Sequence, residues 1–165
     1  MDSKYGIASP ELRIGSLYIF LDARSDSPDD GFHWGLYHHT SPTSGMKYHI
    51  RNLGEGWITE HAANTSITKQ FLLVGMLRIA NVPESRWNTL DTIVQSVPYV
   101  ESGTTCRTWV LDAIRRLATV EIVSYSSLDD LETDAKTFGV TYFDGVLTNV
   151  QPRPIADSLV ARRLG

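Results

Sequence analysis

The string Thr104-Thr105-Cys106-Arg107 carries the most reactive side chain in the sequence, its single cysteine. The two threonines are N-cap residues, and the apolar residues Cys106, Trp109, Val110, Ala113 and Leu117 recur at helical spacing behind them. A thiol at a helix start has its thiolate stabilised by the free amides and dipole there, and the thiolate is the nucleophile. A free cysteine is also a small packed hydrophobe, and this one shares a face with Trp109 and Val110. Both roles are open. A nucleophilic thiol needs a base within hydrogen-bond reach, and the base needs a partner that fixes its tautomer. Four of the five histidines lie between His33 and His49. In Phe32-His33-Trp34-Gly35-Leu36-Tyr37-His38-His39, strand alternation puts His33, Gly35, Tyr37 and His39 on one face. Gly35 leaves open space beside the His33 ring. His49 faces opposite to Tyr48 and Ile50, which lets it lie beside His33 on a neighbouring strand. His38 and His39 abut a loop and are expected at the surface. Each histidine alone can equally be a satisfied structural ring.

His33, His49 and His61 on adjacent strands can also be read as a three-nitrogen metal site. No His-x-His or His-Glu-x-x-His spacing supports it, so neither metal nor cofactor is expected. Glu60-His61 is too short a pattern to count alone. Gly54-Glu55-Gly56 is a hairpin turn rather than a phosphate loop, because no helix follows it. The tryptophans Trp34, Trp57, Trp87 and Trp109 fall on core faces.

The elements that must position these residues are strands first and helices last, the pattern of an α+β domain. Glu11 to Ala23 reads as a long strand, Ser25 to Gly31 as a loop, and Phe32 to His39 as a second strand. Met46–Asn52 and Trp57–His61 pair as a hairpin, and Phe71 to Ile79 is apolar enough for a central strand. Helices follow around Trp87 to Val97, from Cys106, and from about Leu128, the last capped by Ser126 or Ser127; Gly139 interrupts its pattern, and whether it runs on to Phe143 stays open. Val120 to Tyr125 reads as a short strand. The expectation is an antiparallel sheet of about five strands packed with helices. It forms one domain over residues 1–165, with its core at about 11–148 and an extended tail at 149–165.

Composition limits the partners. The 165 residues are 42% hydrophobic and 21% charged, ordinary for one globular domain. A formal charge of -4, with no basic group denser than an Arg pair such as Arg162-Arg163, argues against a nucleic-acid partner. The N-terminus lacks an apolar leader core, no run is long enough to span a membrane, and one cysteine makes no internal disulfide. These features point to the cytoplasm. Oligomeric state is not legible.

The string His33-Trp34-Gly35-Leu36-Tyr37, then Tyr48-His49-Ile50, then a helix opening at Cys106, resembles the permuted papain-like thiol enzymes. These include the lecithin:retinol acyltransferase-like enzymes, the PPPDE isopeptidases and the NlpC-like group. Gly54 to His61 and the tail are similar to short uncharacterised fungal proteins. The first resemblance implies a permuted papain-like arrangement with Cys106 as nucleophile, His33 as base and His49 as orienting residue. It implies an acyl-transfer or amide- or ester-hydrolysing enzyme acting on a small-molecule, acyl or peptide substrate. Thr105 stands where that group has Asn, and the substrate stays open. A non-catalytic ligand- or protein-binding domain on the same scaffold is an alternative, as is a metabolite cyclase or isomerase using histidine acid–base chemistry.

Overall fold

A computed structural model of the chain describes residue 5 and residues 11–165. The N-terminal residues behind the expected lack of a leader lie, apart from Tyr5, outside that set. The strands in chain order are β1 (Ser16–Ala23), β2 (Phe32–His39), β3 (Gly45–Tyr48), β4 (Ile50–Asn52), β5 (Trp57–Thr59), β6 (Ala62–Asn64) and β7 (Leu73–Asn81). The helices α1 (Trp87–Gln95), α2 (Cys106–Thr119), α3 (Leu128–Tyr142) and α4 (Asp144–Leu147) follow, and β8 (Ile155–Asp157) comes last.

Six strands form one sheet in the order β6-β3-β2-β1-β7-β8, and β4 and β5 make a separate two-stranded ribbon. Every pairing in the large sheet is antiparallel except β7 with β8. The expected count of five strands is therefore low. The additions are edge strands, Ala62-Ala63-Asn64 and Ile155-Ala156-Asp157, too short and too weakly patterned to announce themselves. The expected long first strand starts only at Ser16, because Gly15 turns the chain at φ 92°. Val120 to Tyr125 yields one isolated bridge, Tyr125 to Ala161, and no strand.

Alternation along β1 sorts the core into two layers. Leu17, Ile19, Leu21 and Ala23 join Trp34, Trp109, Val110, Ile114 and Phe138 beneath the helices. Tyr18 and Phe20 point the other way, into a smaller cluster with Tyr37, Ile67, Leu73, Met76 and Ile155. Ile67, in a short turn, belongs to that second cluster, whereas Ile50 and Trp57 of the ribbon pack with the first. Thr105 caps α2 in a reciprocal box: its side chain accepts from the Thr108 N–H, and its own N–H donates to Thr108 Oγ1 at 2.8 Å. Ser127 caps α3, which runs on through Gly139 to Tyr142. A Cβ on Gly139 would sit 2.7 Å from the Phe32 ring, so this glycine admits close helix–strand packing.

The extended tail is tied to the rest of the fold by β8 and by side-chain anchors. Arg153 is 1% exposed and donates to the carbonyls of Val150 (2.6 Å), Phe71 (3.0 Å) and Gly145 (3.2 Å). Arg78 grips Asp157 through two nitrogens, at 2.7 and 3.1 Å. Asp134 on α3 accepts from Ser158 Oγ at 2.6 Å and the Leu159 N–H at 2.9 Å. Isolated side chains in a polar tail give no sequence pattern for such a set of anchors. Among the described residues, no helix is long and apolar enough to cross a membrane.

Candidate functional site

His33 is the second residue of β2 and points away from the helices, onto the more open face of the sheet. His49 sits at the single-residue break between β3 and β4, where the hairpin leaves the large sheet for the ribbon. That break aims its ring back toward β2, and His33 Nε2 meets His49 Nδ1 at 2.8 Å. The Phe20 ring packs against both imidazoles, with centroids 6.1 Å from His33 and 5.7 Å from His49. The space beside Gly35 is filled rather than open. A Cβ there would lie 2.2 Å from the Phe20 ring and 3.0 Å from the His49 Cβ, so glycine is what lets these side chains close on His33.

A hydrogen bond between two ring nitrogens needs one donor and one acceptor, which fixes both tautomers together. The other nitrogen of His49, Nε2, lies 3.5 Å from Glu60 Oε2. With its proton on Nε2 facing that carboxylate, His49 accepts through Nδ1 from His33 Nε2–H, and the lone pair of His33 Nδ1 is left free. Burial pushes the His33 pKa down to about 4, helped by the charges of Lys47, Arg51 and Arg24. Burial, Lys47 and the neighbouring His33 push His49 down to about 3. Both rings are therefore neutral at pH 7, and His33 is in the form of a base.

Cys106 is the first residue of α2 and is 5% exposed. Its thiol lies 3.9 Å from the carbonyl oxygen of Phe32, the residue before His33. Cys106, His33 and His49 all line one cavity of about 530 Å³. Cys106 also lines a second cavity of about 410 Å³ on the helix side, with Trp34, Arg107 and Lys136. The thiol thus stands between two hollows, with the histidine pair in the larger.

The larger cavity holds charged groups that the sequence reading did not single out. Asp22 on β1 is the direct cross-strand partner of His33. Its Oδ1 is buried without a hydrogen-bond partner, and burial raises its pKa to about 6. Lys47 donates to Gln70 Oε1 at 2.9 Å and lies 4.8 Å over the Phe20 ring; burial lowers its pKa. Arg24 and Arg51 complete the charged lining, with Trp57, Phe71 and Leu72 as the apolar part. Asp22 had a readable signal: it continues the inward-facing series Tyr18, Phe20 as an acid. Glu60 had none, because its role depends on the strand break that sets it across the hairpin from His49, where its N–H donates to the His49 carbonyl at 2.9 Å.

The remaining histidines stand elsewhere. His38 and His39 are 2% and 4% exposed, against the expected surface position. The strand that carries them is covered on both faces. His38 meets Trp87 edge-on at 5.3 Å, and His39 Nδ1 bonds the Tyr37 hydroxyl at 2.8 Å. His61 stacks on Trp109 at 5.4 Å, and its Nδ1 accepts the His49 backbone N–H at 3.2 Å. That nitrogen is thereby committed away from the His33–His49 pair. Among the described residues, no group of three or more His, Cys, Asp or Glu side chains is placed to hold a metal ion.

No curated protein and no solved structure matches this chain. A family model described as "Family of unknown function (DUF6540)" matches residues 19–124. That segment runs from β1 past α2 and contains Asp22, His33, His49, Glu60 and Cys106. It covers more than half of the chain, so the protein belongs to this family of unknown function.

Proposed function

We propose that the protein is a cysteine-dependent acyl-transfer or amide- or ester-hydrolysing enzyme, with a permuted papain-like arrangement of its site. The observation that carries this reading is the 2.8 Å His33–His49 bond in the same cavity that Cys106 lines. With His33 Nε2 committed to His49, Nδ1 is the nitrogen that takes the thiol proton. Rotation of the thiol away from the Phe32 carbonyl precedes that transfer. The thiolate raises the basicity of the adjacent imidazole as the ion pair forms, offsetting the burial that holds His33 near 4. Attack on the substrate carbonyl carbon then gives a tetrahedral oxyanion, which the unpaired first-turn amides of α2 stabilise. The His33 imidazolium returns its proton to the leaving group, and water or an acceptor releases the acyl group from the sulfur.

A second reading is favoured by the burial of Cys106 and its contact with the Phe32 carbonyl. In it the thiol is packed and the cavity binds a ligand, or transforms it by histidine acid–base chemistry alone. Iodoacetamide labelling at pH 6, mapped by mass spectrometry, separates the two. The enzyme reading expects rapid modification of Cys106 that slows by about 10²-fold in His33→Ala. Slow labelling in both proteins would transfer the function to the second reading.

A further inference from the structure

Three carboxylates of this protein are not treated alike. Asp134 receives Ser158 Oγ and the Leu159 N–H, and Asp157 is held by Arg78. Asp22 faces the cavity with Oδ1 buried and no hydrogen-bond partner. The charges of Lys47 and Arg51 are close enough to act on it, yet neither forms an ion pair with it. The Lys47 ammonium is engaged by Gln70 and the Phe20 ring. Arg51 reaches Glu60 at 3.4 Å instead. An unpartnered carboxylate therefore stands in the cavity wall across the strand pair from His33, with cationic side chains lining the same cavity.

This charge pattern discriminates among ligands. A simple anion meets the Asp22 carboxylate, and a simple cation meets Lys47, Arg24 and Arg51. A molecule carrying both charges satisfies both sets, and a cavity of about 530 Å³ suits a small one. We propose that the cavity takes a small zwitterionic aminoacyl compound, with its ammonium group on Asp22 and its carboxylate between Arg24 and Arg51. The proposal deepens the reading of this cavity as the substrate site of Cys106 and rests on it. Held on Asp22, the ligand lies against the residue paired with it across the sheet, His33, so recognition and chemistry share one wall.

The test is a binding titration of the standard L-amino acids, each with its N-acetyl and its carboxamide derivative, by calorimetry. It uses the wild-type and Cys106→Ala proteins, so that turnover does not interfere. At least one amino acid should bind in the millimolar range or tighter. N-acetylation and amidation should each weaken it by about tenfold or more. Asp22→Asn should abolish the preference for the free amine, and the Arg24→Gln, Arg51→Gln double variant the preference for the carboxylate. No binding across the panel would overturn the proposal, as would derivatives that bind equally well or an Asp22→Asn protein that still prefers the amine. Iodoacetamide labelling reads the catalytic assignment separately. If labelling of Cys106 depends on His33 while the panel fails, the zwitterion proposal alone falls. If that dependence is absent, the thiol reading falls whatever binds.

Discussion

The two faces of the central sheet are built from the same strands, yet they are spent differently. Leu21 and Asp22 are neighbours on β1, and Trp34 and His33 are neighbours on β2. The first of each pair lies under three helices in the large core. The second faces a cavity with charged walls. The helices tile their face with apolar side chains and leave the smaller hollow of about 410 Å³ beside Trp34 and Cys106. The opposite face carries the smaller cluster, in which Ile67 from a short turn, Leu73 and Ile155 pack with Tyr18, Phe20 and Tyr37. Apolar packing is concentrated on one side of a strand and titratable side chains on the other, one residue apart.

Adjacent substitutions on β1 break that comparison most sharply. Leu21 is fully buried, and Leu21→Ala removes methylene contacts that the packed helices cannot replace. It should cost about 2–5 kcal/mol in chemical denaturation, while the ring geometry on the other face is retained in the protein that remains folded. A cost under about 1 kcal/mol would mean that the helix face is looser than its packing indicates.

Much of this division was legible in the residue pattern. Alternation placed His33 and Gly35 on one face of β2, and the Thr-Thr pair placed Cys106 at a helix start; both depend on near neighbours in the chain. The meeting of His33 with His49 was legible only as a possibility of adjacent strands. The break at His49 that turns the ring inward is a backbone event with no residue signature. Asp22 and Glu60 were missed because an acid acquires its role from what lies across the sheet, at separations that local periodicity does not reach. The anchors of the tail were not legible for the same reason. Arg78 and Asp134 secure it from far along the chain, Arg153 within it reaches back to the Phe71 carbonyl, and a short edge strand such as Ile155–Asp157 has too few residues to show a period.

The Asp22 carboxyl gives a smaller effect whose sign depends on pH. Its folded pKa of about 6 lies above its unfolded value of 3.8, so between these values the folded protein holds a proton that the unfolded chain has released. Above pH 6 the folded state carries a buried, unpartnered charge and is less stable for it. Asp22→Asn should therefore raise stability at pH 8 by about 1–2 kcal/mol and change little at pH 4. His33 and His49 act oppositely. Their folded values, near 4 and 3, lie below the ordinary 6.5, so the protein loses stability as pH falls below 6.5. Urea denaturation of both proteins from pH 4 to 8 measures this, and an Asp22→Asn gain that persists at pH 4 would contradict the assignment to charge burial.

Glu60 should give the smallest effect, and it sharpens the comparison at the site's edge. Its side chain is about a third exposed (36%), lies 3.5 Å from His49 Nε2, and is shared with Arg51 at 3.4 Å. A contact this long and this wet is worth well under about 1 kcal/mol as an ion pair. Its consequence is the tautomer: an acceptor facing Nε2 keeps the proton there, and Nδ1 is then free to receive the His33 N–H. Glutamine retains an oxygen that can accept from Nε2, so Glu60→Gln should slow the labelling of Cys106 by about twofold or less. Glu60→Lys offers only donors to that nitrogen and should favour the other tautomer. Labelling should then slow by about fivefold to tenfold with little change in denaturation midpoint. Rates that fall equally in the Gln and Lys variants would assign the effect to lost packing rather than to tautomer control. An unchanged rate in Glu60→Lys would remove Glu60 from the His49–His33 chain and leave the histidine pair to set its own tautomers.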